Sequence, residues 1–226
     1  MAETEIVIPL YPGVTHLDFT GPHQVLSRLP GGRVTVASMG GADIEADGLT
    51  FGRLADLNSV MRCDVLCVPG GFGTTDAMLD EAFMAEIRRL AAGASYLTSV
   101  CTGSLILGAA GVLRGKRAAC HWAWRDLLTE FGAIPDEARV ARDGNIITGG
   151  GVTAGLDFAF VLMAELAGEA TAQSVQLGLE YAPAPPFNAG RPETAPPEIL
   201  AAVTARMSPF KRRDAAREAA ARLEAV

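Results

Sequence analysis

Short apolar runs alternate along this chain with longer segments whose apolar positions recur at helical spacing. The first run is Glu5-Ile6-Val7-Ile8-Pro9-Leu10, a strand that Pro12-Gly13 breaks. A helix is expected over residues 22–29, with Thr20 or Asp18 as its cap and Pro30-Gly31-Gly32 as its stop. Residues 33–39 read as a second strand. Residues 40–59 are mixed and punctuated by glycine, and admit a short hairpin without fixing one. Residues 64–68 form an apolar strand closed by Pro69-Gly70-Gly71, and Met78, Leu79, Phe83, Ile87 and Leu90 then mark a helix over 76–92. The run 94–100 ends at Cys101, where a helix start rich in small residues follows at once and continues through Leu105, Ile106, Leu107 and Leu113. A strand over 116–120, a helix over 122–131 and a hairpin turning at Asp143-Gly144 come next. Gly149-Gly150-Gly151 then opens a helix over 153–167 that is apolar nearly all round and so expected to be buried.

Strands that alternate with helices predict an α/β fold, a mainly parallel sheet sandwiched between helices in three layers, flavodoxin-like. One domain is expected over 1–226, with a proline-rich loop over 182–197 and a helical tail over 198–226. In such sheets ligands collect outside the carboxyl ends of the strands. Asp18, Gly70-Gly71, Cys101 and the glycines at 149–151 each follow a strand, so all four should converge there.

Charge narrows the function. The chain of 226 residues has a net charge of −7, which disfavours a phosphate-binding surface, so nucleic acid is not an expected partner. No apolar run reaches the length that crosses a bilayer. The acidic stretch Met1-Ala2-Glu3-Thr4-Glu5 precedes only a short apolar segment, which is unlike a secretory leader, so a cytoplasmic location is expected. Cys63, Cys67, Cys101 and Cys120 lack metal-ligand spacing, and three histidines, His16, His23 and His121, offer little more. No metal site is expected.

Cys101 is the candidate nucleophile. A strand turning abruptly into a helix exposes the residue at the turn, the geometry of a nucleophile elbow. Helix N–H groups and the helix dipole would favour its thiolate. The competing reading is a small buried hydrophobe, the common fate of a free cysteine. Gly71 can offer an unobstructed N–H, and Thr102 both an N–H and a hydroxyl. Asp18, a carboxylate between Leu17 and Phe19, is the acid–base candidate, with a raised pKa if it is desolvated; its alternative role is a helix cap. His121, beside Trp122 and Trp124, reads more naturally as a hydrogen-bonded structural group, and no histidine follows Cys101 directly.

Several segments together cover nearly the whole chain and resemble one family. They are Leu17-Asp18-Phe19-Thr20-Gly21-Pro22-His23, Val68-Pro69-Gly70-Gly71, Thr98-Ser99-Val100-Cys101-Thr102-Gly103-Ser104, Gly115-Lys116-Arg117-Ala118 with His121-Trp122-Ala123, the stretch from Arg142-Asp143-Gly144-Asn145 through Gly155, and the stretch from Leu179-Glu180-Tyr181 to Ala189-Gly190. The chain is similar to the ThiJ/PfpI-like branch of the class I glutamine-amidotransferase-like superfamily, and within it to members that hydrate isocyanides. The elbow and the proline-rich stretch mark the branch, whereas Asp18 with Cys101-Thr102 discriminates within it.

The resemblance implies addition of water to an organic isocyanide to give an N-substituted formamide, with no metal or organic cofactor, in a homodimer. It implies that Cys101 forms a covalent thioimidate and that Asp18 activates water. It further implies that Thr102, the Gly71 amide and the Val152 amide position or stabilise the sulfur and the intermediate. Two other classes stay open: another cysteine-dependent hydrolase or glyoxal-processing enzyme, and a non-catalytic ligand sensor. The tail is expected to be structural, with Tyr181 and Phe187 as apolar anchors.

Overall fold

Strands buried on both faces of a sheet need unbroken apolar runs, and β1 (Thr4–Leu10) has one: every residue from Glu5 to Leu10 is buried. Glu5 is tolerated there because Arg33 and Thr35 both donate to its carboxylate. The computed structural model describes residues 3–224; Met1, Ala2 and the last two residues of the expected tail lie outside the described residues. After β1 come α1 (His16–Leu26), β2 (Gly32–Ser38), the hairpin β3 (Ile44–Ala46) and β4 (Leu49–Phe51), and β5 (Ala55–Asp56). Next follow β6 (Val65–Val68), α2 (Thr74–Leu79), α3 (Glu81–Gly93), β7 (Tyr96–Val100) and α4 (Gly103–Ala109). The chain continues through β8 (Arg117–Ala119), β9 (Ile134–Asp136), β10 (Val140–Asp143) and β11 (Ile146–Gly149). It ends with α5 (Ala154–Ala167), α6 (Glu169–Gly178), α7 (Pro197–Met207) and α8 (Arg213–Glu224).

The main sheet runs β10-β11-β7-β6-β1-β2-β5, and every pairing in it is parallel except that of β10 with β11. From β1 the chain moves to β2 on one side and later returns to β6 on the other. That reversal makes the β1/β6 boundary the switch point where a crevice opens at the strands' carboxyl ends. Helices flank the sheet, α1 packing on α5, and α4 contacting α2, α3 and α8. The expected α/β architecture is the observed one.

Several elements depart from expectation. Helix α1 starts at His16, so Asp18 lies inside its first turn instead of capping it, and Pro22 sits within the helix. Pro22 is the seventh residue of the helix and removes the N–H that would have donated to the Asp18 carbonyl. The helix expected over 76–92 is two helices, divided at Asp80, whose carboxylate accepts from the Ala82 and Phe83 N–H groups and caps α3. Helix α4 stops at Ala109, and Gly111 turns the chain with a φ of 84°. Strand β8 pairs with β9 in a separate two-stranded sheet, and Arg125–Phe131 is a 3-10 helix. Helix α5 is not buried all round: Val161 is 39% exposed, and Leu156 and Phe160 are half-buried.

The tail joins the domain through α8. Ala215, Ala216 and Ala219 are buried, and α8 packs against α2 and α4. Its arginines are ties to the body and not merely a solvated face: Arg213 and Arg217 pair with Glu130, and Arg222 with Glu81. Tyr181 is anchored, its hydroxyl donating to Asp157 Oδ2 at 3.1 Å and its ring 5.2 Å from that of Phe160. Phe187 is not; it is 81% exposed, because the proline-rich loop runs over the surface.

Candidate active site

Four strand ends meet as the pattern of the chain required. At the end of β7, Cys101 has a φ of 59°, the left-handed region that a side chain with a Cβ rarely occupies. The strain is held from both sides. The Cys101 N–H donates to Gly150 O at 2.7 Å and Gly149 O at 3.2 Å, and its carbonyl accepts from the His121 N–H at 3.3 Å. The start of α4 lies so close to β6 that a Cβ on Gly103 would fall 2.1 Å from the Val68 carbonyl oxygen. This is a strand–elbow–helix unit with the sulfur at its apex.

Asp18 is brought to the same place by the loop between β1 and α1, which is stitched to the loop after β6. Thr15 N–H donates to Gly70 O at 2.9 Å, Gly73 N–H to Gly13 O at 3.0 Å, and Val14 bridges Gly71. Gly70 N–H in turn donates to Asp18 Oδ2 at 2.9 Å. The position admits only glycine: a Cβ on Gly70 would stand 2.4 Å from Thr102 N and 2.9 Å from Asp18 Oδ2. Asp18 is fully buried, and its Oδ1 has no hydrogen-bond partner among the described residues.

Burial pushes the Asp18 carboxyl up to about 7, against the Gly70 hydrogen bond and the interaction with Cys101, which pull it down; the Asp47 charge adds to the rise. Asp47 sits at the tip of the β3–β4 hairpin and accepts from the His16 N–H at 3.1 Å. Burial also raises the Cys101 thiol well above its ordinary range, with the Asp18 charge next in weight, although the Thr102 N–H favours the thiolate. Desolvation and the neighbouring carboxylate thus work against the thiolate that the helix end favours. Two acids share one dry pocket, and a charge on Asp18 raises the cost of ionising Cys101.

Thr102 plays a different part from the one its hydroxyl suggested. Its Oγ1 accepts from the Gly71 N–H at 2.9 Å and lies 2.7 Å from Thr74 Oγ1. Thr74 contacts the Tyr11 hydroxyl at 3.0 Å, and Tyr11 donates to Pro69 O at 2.9 Å. The Gly71 amide is thus engaged by Thr102, and the two form a brace under the elbow instead of a free donor pair. Thr74 and Tyr11 were missing from the sequence reading, and Gly70 entered it only as half of a Gly-Gly pair; the close approach that makes it indispensable leaves no further mark in the sequence.

Val152, half-buried, stands where β11 passes into α5 and lines a cleft of about 540 Å³ with Cys120, His121, Gly150 and Gly151. Cys101, 5% exposed, does not itself line this cleft and is joined to its rim through the backbone, by its N–H to Gly150 O and by the His121 N–H to its carbonyl. His121 is lowered to about 4 by burial, so its ring is neutral, and its Nδ1 accepts from the Ala123 N–H at 3.3 Å. It makes contact with Cys101 through the backbone. Cys63, Cys67 and Cys120 are buried thiols pushed up to about 12 by desolvation. Among the described residues no group of His, Cys, Asp and Glu is placed to hold a metal ion, and no helix is long and apolar enough to cross a membrane.

Known proteins share this architecture. Over 201 residues the chain is 51% identical to isonitrile hydratase of Pseudomonas putida, covering 88% of each protein. The crystal structure of a ThiJ/PfpI family protein from Pseudomonas syringae superposes with a TM-score of 0.92 at 43% identity, covering 97% of this chain and 91% of that one. Drosophila melanogaster DJ-1beta superposes with a TM-score of 0.71 at 27% identity, covering 81% of this chain and all of that one. With residues 4–165 matching the family as a whole, the chain belongs to the DJ-1/PfpI family.

Proposed function

We propose that this protein adds water to organic isocyanides, releasing N-substituted formamides. The observation that carries the proposal is a buried carboxyl with a pKa of about 7 sharing its pocket with the Cys101 thiol at a strained elbow. The relative from Pseudomonas putida, named for the same functional group under its other name, supports that reading.

The residues allow a balanced sequence of steps. Asp18 takes the Cys101 proton as the sulfur attacks the terminal isocyanide carbon, and returns it to that carbon, leaving a thioimidate, R–N=CH–S–Cys101. Asp18, ionised again, draws a proton from water as the oxygen bonds to the same carbon, and passes that proton to the nitrogen, giving R–NH–CH(OH)–S–Cys101. Collapse of this adduct breaks the C–S bond as Asp18 moves the hydroxyl proton to the departing sulfur, and frees R–NH–CHO. The Thr102 N–H supports the sulfur while it carries charge, and the Val152 N–H is the donor assigned to the intermediate. The Gly71 amide acts through Thr102 unless that hydroxyl turns away. No cofactor is required.

A homodimer suits the uncovered apolar side of α5 and the exposed Leu177, Phe187 and Ile199. Four free, buried cysteines suit the reducing cytoplasm. Mixing the protein with a simple isocyanide and following formamide by NMR tests the activity. Formamide from the parent and none from Cys101→Ala supports it; no formamide from the parent overturns it.

A further inference from the structure

Four aromatic rings form a continuous row from the elbow to the tail. His121, whose N–H is bonded to the Cys101 carbonyl, has its ring 5.2 Å from Trp124. Trp124 lies 6.1 Å from Phe72, and Phe72 lies 4.5 Å from Phe210. Both ends of the inner part touch the site: His121 lies under Gly151 on the cleft rim, and Phe72 directly follows Gly71, whose N–H is bonded to Thr102. Trp124 is buried, while Phe72 is 53% and Phe210 45% exposed. Two large rings in contact with each other are therefore left facing water, one of them on the residue next to Gly71, whose N–H braces the elbow through Thr102.

Their exposure does not come from slack chain. Phe72 sits between Gly71 and Gly73 in the loop stitched to Gly13, and Phe210 closes the turn Ser208–Phe210. That turn is tied down by Lys211, 2.7 Å from Asp126 Oδ1, and by Arg213, which pairs with Asp126 and Glu130. Fixed rings with one face uncovered lose little entropy when they take a flat apolar partner, and aromatic pairs gain beyond the area they bury. The catalytic groups, by contrast, touch only the isocyanide carbon and nitrogen. They leave the rest of the substrate unspecified.

We propose that Phe72 and Phe210, backed by Trp124 and His121, form the wall that receives the substituent of the isocyanide and selects substrates with an aromatic group on nitrogen. This rests on the isocyanide reading above and adds a specificity role for the tail, since Phe210 lies between α7 and α8. The rings act on binding and orientation of the substrate, and take no part in proton transfer.

The test compares benzyl isocyanide with methyl isocyanide for the parent, Phe72→Ala and Phe210→Ala. Each variant should lower the benzyl-to-methyl ratio of kcat/KM about tenfold, chiefly through KM for the benzyl substrate. An unchanged ratio overturns the proposal, as does a change in solution mass without a change in ratio, which assigns the rings to a protein partner. A second arm stands apart from turnover: benzyl isocyanide is titrated against Cys101→Ala and against Cys101→Ala/Phe210→Ala, read by tryptophan fluorescence. About tenfold weaker binding in the double variant supports the wall, and equal binding rejects it. Failure of the parent to make formamide counts against the hydration reading alone, since this second arm still decides the wall.

Discussion

Gly70 donates its N–H to one oxygen of the Asp18 carboxylate at 2.9 Å, and the other oxygen meets no partner among the described residues. That division of labour separates holding from reacting. Asp18→Asn keeps an oxygen for Gly70 but cannot take a proton at neutral pH. Turnover should fall by roughly a hundredfold or more with the fold intact. Intact-protein mass spectrometry after adding isocyanide should show an adduct on Cys101, because its hydrolysis is slowed. Parent-like turnover in this variant would remove Asp18 from the chemistry.

The raised carboxyl also sets the dependence on pH. With Asp18 as the proposed base, kcat/KM should rise through about pH 7 and level off above it. Stability should move the other way. Above about pH 4 the unfolded chain gives up the Asp18 proton while the folded protein keeps it until about 7, so the folded state binds more protons across that window. Its stability declines as pH rises from about 4 to about 7, by on the order of 4 kcal/mol for a shift of about three units. Asp18→Asn should therefore gain in Tm relative to the parent at pH 8 and much less at pH 5. Parallel Tm profiles would contradict the buried, weakly acidic carboxyl.

Gly70→Ala should disable the site from one atom. The added Cβ would meet Thr102 N, Thr102 Oγ1 and Asp18 Oδ2 at 2.4 to 2.9 Å, so the two loops must separate. A stability loss of about 1–3 kcal/mol is expected from the forced shift, together with loss of nearly all turnover. Full activity with an unchanged melting curve would show that the loops part freely.

Removing the chain beyond Leu179 should destabilise the domain, because it uncovers the faces of α2 and α4 on which Ala215, Ala216 and Ala219 are buried. Phe187→Ala should leave the melting temperature alone, since that ring is 81% exposed, and should change the mass in solution only if it touches a second copy. A truncated protein that melts like the parent would make α8 dispensable.

The parallel order was legible because strands covered on both faces, such as Val65–Val68, are unbroken apolar runs, and proline–glycine pairs mark their ends. Cys101 was legible because the run ends on it and small residues follow. What escaped depended on contacts between distant segments. The start of α1 was misplaced because Gly21-Pro22 resembles a helix start, with Thr20 or Asp18 as cap, whereas α1 begins at His16, next to Thr15 and its bond to Gly70. The burial of the thiol escaped for the same reason: a helix dipole can be read locally, but burial beside Asp18 arises only when β1, β6 and β7 lie side by side.

The rims of the main sheet carry one more consequence. On one side β5 is two residues long, and on the other β10 is an antiparallel return flanked by β8, with Arg117 N–H bonded to Asp143 Oδ2. Neither rim offers a neighbour a long row of bare amides and carbonyls. When this protein is concentrated or stored, pairing of intact molecules strand upon strand along the main sheet is therefore disfavoured relative to association through helices and side chains.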